Sequence, residues 1–153
     1  MSESASDEYI IVIDNAGRRK RQKVEYIVLD VRREKVYVTA EGLKYTRDSL
    51  RAKGRQRFLL DELERIPNIL AHPDIVVWDY EYPDDTLIYY KRLYIKSKGA
   101  HYLIAAIVKI RQGKRFLYNV HVQESGKVKG YHRDMLPEVW YINPRRRPHH
   151  FGL

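Results

Sequence analysis

Apolar and polar positions alternate with a period of two through most of the second half of this chain. Four runs dense in Val, Ile, Tyr and Trp follow one another: 75–80, 86–95, 101–111 and 115–123. β-Branched and aromatic residues favour pleated strands. The connections are short and hold Pro83, Gly99 and Gly113. That leaves no room for crossover helices, so the pattern predicts an antiparallel meander. In the last run Phe116, Tyr118, Val120 and Val122 share one face, and Arg115, Leu117, Asn119, His121 and Gln123 the other. In the run before it Tyr102, Ile104, Ala106, Val108 and Ile110 are uniformly apolar, while the alternate set turns basic at Lys109 and Arg111. The run at 86–95 splits into Leu87, Tyr89, Lys91, Leu93 and Ile95 against Ile88, Tyr90, Arg92 and Tyr94. The prediction is one face built for a core and one open face that gathers Arg, Lys, Tyr, Asn and His.

Helical spacing is clearest from Phe58 to Ala71, where Phe58, Leu59, Leu63, Ile66 and Leu70 recur on one stripe. Pro67 either kinks that helix or opens a new first turn. A helix of about one to two turns is predicted between Glu41 and Gly54, capped by Thr46 or Asp48 and closed by Gly54. Tyr9–Ile13, Val24–Val31 and Lys35–Ala40 read as strands, with turns at Asp14–Gly17 and Arg32–Glu34. Whether they extend the main sheet or form a small one stays open. Val139–Ile142 reads as a short strand or a strap across the core. The expected architecture is therefore α+β: a helical layer packed on an antiparallel β-meander of about four strands, with extra N-terminal strands. Residues 1–8 are expected to be disordered, 9–142 to form a single domain, and 143–153 to be a basic tail.

Charge changes the picture more than composition does. The hydrophobic content of 44% is ordinary and suffices for a core, but the net charge of +9 alongside 13 Tyr points to a polyanionic partner, with nucleic acid the default. Residues 18–23 carry five basic side chains in six positions, either as a solvated hairpin tip or as a phosphate-gripping arm. From 44 to 57, Lys44, Arg47, Arg51, Lys53, Arg55 and Arg57 stand against Asp48 alone. The absence of cysteine excludes disulfides, Cys-based zinc sites and a thiol nucleophile. No apolar run approaches the roughly 20 residues that span a bilayer. The acidic N-terminus is unlike a signal peptide, so a cytoplasmic location without membrane association is expected. His149 and His150 lack companions at ligand spacing, and neither a metal nor another cofactor is expected. No phosphate-cradling glycine loop or nucleophile elbow is present.

The second half also carries motifs in a recognisable order. A helix runs into "RIPNILAHPDIVVWDY", and strands follow as "DTLIYYKRLY", "HYLIAAIVKI" and "RFLYNVHV". This order resembles the phage-associated branch of the barnase, EndoU, colicin and RelE-like ribonuclease superfamily, over about residues 62 to 123. The stretch matching the family's histidine-bearing helical motif reads "LRAKGRQRF", and Asn119-Val120-His121 stands where relatives have a small hydroxyl triplet. The resemblance implies a helical layer on a four-stranded antiparallel sheet, with metal-independent RNA cleavage on its open face. Such chemistry needs an acid or base and cations for the phosphate. Arg92, Lys109 and Arg111 would hold phosphate, His121 would act as acid or base, and Tyr90 would stack a base or orient the sugar. Asn119 would join the binding face, and Lys44, Arg47, Arg51 and Lys53 would extend it. His132 and Arg133 are further candidates to fold back onto the site. An antitoxin or immunity protein is the partner that a toxin-like member would have.

Three function classes follow. The first is a metal-independent endoribonuclease, which requires Tyr90, Arg92, Lys109, Arg111, Asn119 and His121 to converge in one cleft. The second is a non-catalytic RNA- or DNA-binding module on the same basic, tyrosine-rich face. The third is a protein-interaction domain whose basic surface meets an acidic partner.

Overall fold

The computed structural model describes residues 8–14, 16–129 and 136–153. Among them the strands are β1 (Tyr9–Ile13), β2 (Arg19–Leu29), β3 (Lys35–Thr39), β4 (Ile75–Trp78), β5 (Thr86–Ile95), β6 (Ala100–Arg111), β7 (Lys114–Val122) and β8 (Val139–Ile142). Helix α1 is Ala40–Ala52 and α2 is Ile66–Ala71, with tight 3-10 turns over Gly54–Arg65 between them and a short 3-10 turn at Pro148–Phe151. Residue 15 of the turn predicted at Asp14–Gly17, the candidates His132 and Arg133, and residues 1–7 of the segment expected to be disordered fall outside the described residues. No helix among the described residues is long and apolar enough to cross a membrane.

The predicted helical layer on a four-stranded meander is corrected here. All eight strands join one mixed sheet in the order β1-β2-β3-β7-β6-β5-β4-β8. The meander of β4 to β7 is present and antiparallel, closed between β6 and β7 by Gln112 and Gly113, both at positive φ as a tight hairpin turn demands. The three N-terminal strands do not stay apart, because β3 pairs in parallel with β7 through Val36↔Arg115 and Tyr37↔Phe116. β8 adds at the far side through Ile75↔Ile142.

The helical forecasts shift as well. The 58–71 helix is a 3-10 run followed by a single short α-helix. Pro67 explains this: its ring would clash with the carbonyl four residues back, so α-helix starts afresh with proline in the first turn. The short helix forecast at 41–54 is instead 13 residues long, because the cap is Thr39 rather than Thr46 or Asp48. The Thr39 hydroxyl accepts the Gly42 N–H at 3.0 Å, leaving Thr46 buried inside the helix.

These helical segments seal one face and one strand edge. Leu43, Leu50, Leu59, Ile66, Ile69 and Leu70 pack with Val36, Val38, Leu87, Tyr89, Ile104, Val108, Leu117 and Val120 in the principal core. Beyond Phe116, the edge of β7 away from β6 has no strand beside it among the described residues. α1 comes so close there that a Cβ on Gly42 would lie 2.6 Å from the Leu117 carbonyl oxygen. Further along, the Gln56 amide bonds both backbone groups of Val122, at 2.8 and 3.1 Å, as a neighbouring strand would.

The opposite face is not open, which corrects the second half of the expectation. Ile75, Val77, Ile88, Tyr90, Leu103 and Ala105 form their own cluster under Val128 and Phe151. Ile10 and Val12 of the β1–β2 arm cover Tyr37 and Phe116 in a third. The end of the basic tail is thus anchored: Phe151 is fully buried, and its carbonyl accepts the Val128 N–H at 2.9 Å. Apolar Ile88, Leu103, Ala105 and Ile107 on that face need cover from water, and these segments supply it.

Candidate functional site

Between the arm and the C-terminal cover, the second face drops into a cleft of about 560 Å³. Its floor is Ile107, Lys109 and Arg111 of β6 with Phe116 and Tyr118 of β7. One wall is Val12, Ile13, Asp14, Lys20 and Gln22 of the arm, and the other is Asp79, Tyr82 and Asp85 from the β4–β5 loop with Lys129. Two other depressions, of about 490 and 540 Å³ near Gln56 and Glu124, have no aromatic ring among their described linings.

A one-residue irregularity shapes the floor. β6 and β7 pair as Ile107↔Asn119 and then Val108↔Leu117, so Tyr118 is an extra residue in the ladder. Period-two alternation placed Tyr118 with Val120 and Val122 in the core. The bulge moves Leu117 into that core and leaves the Tyr118 ring 38% exposed in the cleft. There it meets Tyr45 of α1, ring centroids 5.0 Å apart. Burial raises the Tyr118 pKa, and a hydrogen bond with Tyr45 raises it further, so the Tyr118 phenol stays neutral at neutral pH.

Lys109 is the centre of the cleft. Its ammonium lies 4.9 Å from the Tyr82 ring centroid and 5.0 Å from that of Tyr118, and donates to the Thr86 hydroxyl at 3.3 Å. Desolvation lowers its pKa, and nearby Asp85 only partly offsets that. The other described cleft cations differ. Arg111 pairs with Asp85, Lys129 with Glu81 and Asp79, and Lys20 approaches Asp14 at 3.9 Å. Among the described residues no carboxylate oxygen reaches ion-pair distance of Lys109. A half-buried cation held by two π faces and a hydroxyl is therefore left for an incoming anion or electron-rich group.

The other forecast residues do not converge on this point. Arg92 lies six residues along β5 from Thr86, the partner of Lys109, hence roughly 20 Å away at the strand rise. Its guanidinium donates to the carbonyls of Gly126 and His150, both at 3.3 Å, and sits over Phe151. It clamps the C-terminal cover. Tyr90 is fully buried, and its hydroxyl accepts the Lys129 N–H at 3.0 Å. Asn119 is buried, and among the described residues neither its Oδ1 nor Nδ1 of His121 has a hydrogen-bond partner. Burial lowers the His121 pKa to about 4, with Lys53 adding to the effect, so the imidazole is neutral at pH 7. On α1, Lys44 and Arg51 both pair with Asp48, at 2.8 and 3.4 Å. They and Arg47 are exposed on the stripe away from the core. Lys109 and Arg111 alone of the ten reach the cleft.

Sequence reasoning missed Tyr82, Tyr118 and Lys129, whereas Lys20 belongs to the basic run 18–23 that it had weighed as a phosphate-gripping arm. Tyr82 had a legible signal, since it stands just before Pro83-Asp84-Asp85 as an aromatic residue in a turn, where it is 54% exposed. Tyr118 had none, because a bulge is invisible to alternation. No family model, curated protein or solved structure matches the chain.

Proposed function

We propose that the protein binds single-stranded nucleic acid, RNA first among them. One nucleotide enters the cleft, its base stacking on Tyr82 or Tyr118 and its phosphate meeting Lys109. The flanking phosphates run onto Lys20 and the exposed guanidinium groups of the β2 arm. The observation that carries this reading is the Lys109 ammonium, flanked by two partly exposed tyrosine rings and without a carboxylate partner among the described residues. Aromatic rings beside cations are the combination that single strands require, since every base has a π face and every linkage a charge. The net charge of +9 supports it. Asp79 and Asp85 in the wall argue against a duplex laid along the cleft, because two backbones would crowd two carboxylates.

Binding to a mixed-sequence single-stranded RNA, followed by fluorescence anisotropy across a salt series, tests the reading. Affinity is expected to fall steeply with salt. Tyr82→Ala and Tyr118→Ala should each weaken binding by about 1–3 kcal/mol, and Lys109→Gln should weaken it while flattening the salt slope. Because an anion favours protonated Lys109, affinity should also fall with rising pH sooner than for an ordinary lysine. Salt-insensitive binding, or variants indistinguishable from the parent, would sink the proposal. The same RNA incubated in EDTA checks the catalytic version. Cleavage that vanishes in Lys109→Gln would make Lys109 a participant in the chemistry and the cleft an endoribonuclease site.

A further inference from the structure

β1 forms one end of the sheet, and the hydrogen-bond parity of its ladder shows what its outer edge offers. Val24 N–H donates to the Glu8 carbonyl at 2.7 Å and Asp14 N–H to that of Arg18 at 3.0 Å. Between these bonds the register runs Ile10↔Gln22 and Val12↔Lys20, so Ile10 and Val12 exchange bonds with β2. The N–H and C=O groups of Tyr9, Ile11 and Ile13 therefore face away from the sheet, with no strand beside them among the described residues. The far side of β2 agrees: the Lys23 N–H, on an odd-numbered residue, points away from β1 and donates to Glu41 at 3.1 Å.

Side chains define what would fit there. Tyr9 and Ile11 are 41% and 40% exposed on the solvent side of the arm. They stand in register with Lys23 and Arg21, and Ile13 with Arg19. The Arg21 guanidinium already lies 3.7 Å from the Tyr9 ring centroid. β1 reads YIIVI, with no charge, proline or bulge to discourage pairing. A second copy paired β1 to β1 would set two apolar rows side by side and leave both basic rows of β2 without a counter-charge. Carboxylate side chains would be attracted.

We propose that β1 accepts an extended, acidic segment of another protein as an added outer strand. Its backbone pairs with Tyr9, Ile11 and Ile13. Its Glu or Asp side chains lie on the face of Arg19, Arg21 and Lys23, and its apolar side chains continue the row of Ile10 and Val12. This site adjoins the cleft at Val12 and Ile13 and shares Arg19 and Arg21 with the proposed phosphate path, but peptide pairing at the edge does not depend on nucleic-acid binding.

The probe is a labelled heptapeptide alternating Glu and Val, with a Lys–Val peptide of the same pattern as control. Anisotropy measures binding, and amide hydrogen exchange reads the edge. The acidic peptide is expected to bind and to slow exchange at Tyr9, Ile11 and Ile13. Ile11→Pro removes an outward N–H without taking a bond from the β1–β2 ladder, and should weaken binding about tenfold or more. In case proline loosens the arm, the double variant Arg21→Glu, Lys23→Glu keeps every N–H and should weaken binding comparably. The idea is overturned by no binding of the acidic peptide, by equal binding of the Lys–Val peptide, or by undiminished affinity in the double variant. Protection of the same three amides that grows with protein concentration alone would overturn it too, by making the occupant a second copy.

Discussion

His121 shows how far a residue's meaning depends on its surroundings. On a strand that alternates, it belonged to the polar set and stood as an acid or base. In the folded chain burial holds its pKa down to about 4, against an ordinary 6.5. Between those values the unfolded chain binds a proton that the folded one does not, so stability falls as pH drops through that window. The expected loss from pH 7 to pH 4 attributable to this group is about 3 kcal/mol. Urea denaturation of the parent and of His121→Gln at both pH values checks it. The variant should lose less stability on acidification, and an identical slope would show that the imidazole stays solvated. Lys109 and Tyr118 make the same point from the other side. Lys109 was legible as a basic residue where the strand's alternate set turns basic, yet its two aromatic neighbours came from a loop and a bulge that no spacing rule predicts.

Among the elements, α1 carries the clearest constraint. Gly42 in its first turn would ordinarily be improved by alanine, by about 1 kcal/mol of helix propensity. Here a Cβ would sit 2.6 Å from a backbone oxygen of β7, an overpacking that costs roughly 1–3 kcal/mol. Gly42→Ala is thus expected to lower the thermal midpoint, whereas an unchanged or raised midpoint would place α1 farther from β7. Thr39→Ala removes the hydroxyl that accepts the Gly42 N–H and should cost about 0.5–2 kcal/mol. The strand runs of the second half were legible because each is dense in β-branched and aromatic residues and bounded by turn residues. The helices were not, for two reasons. A Gly-containing, Arg-rich segment has weak helical patterning, and the 58–71 stripe fits 3-10 turns as well as an α-helix until Pro67 decides.

At the scale of the whole molecule, the sheet is buried on both faces, and the last residues of the chain do part of the covering. Phe151 is fully buried against Ile75, Ile88 and Tyr90, with Arg92 over its ring. Phe151→Ala should therefore cost about 3–5 kcal/mol, as for a core phenylalanine, and expose Tyr90 to solvent. Equilibrium unfolding and tyrosine iodination read these two effects, and a loss below about 0.5 kcal/mol, the range of a surface change, would mean that the tail does not cover the sheet. The basic arm and the cleft also become neighbours only at this scale. Residues 18–23 are some 90 positions from Lys109, yet Lys20 and Lys109 line one cavity.

The sequence by itself determined the strands of the second half, their antiparallel order, the restart at Pro67 as one of two options, and a basic, tyrosine-rich composition. These are local properties: period, turn residues and charge are written in neighbouring positions. Only the tertiary structure decided that β3 joins β7, that α1 seals the β7 edge, and that Phe151 closes the second face. It alone placed Lys109 between Tyr82 and Tyr118 and sent Arg92 and His121 to other tasks. Each of these depends on contacts between segments far apart in the chain, where burial of apolar surface outweighs local preference.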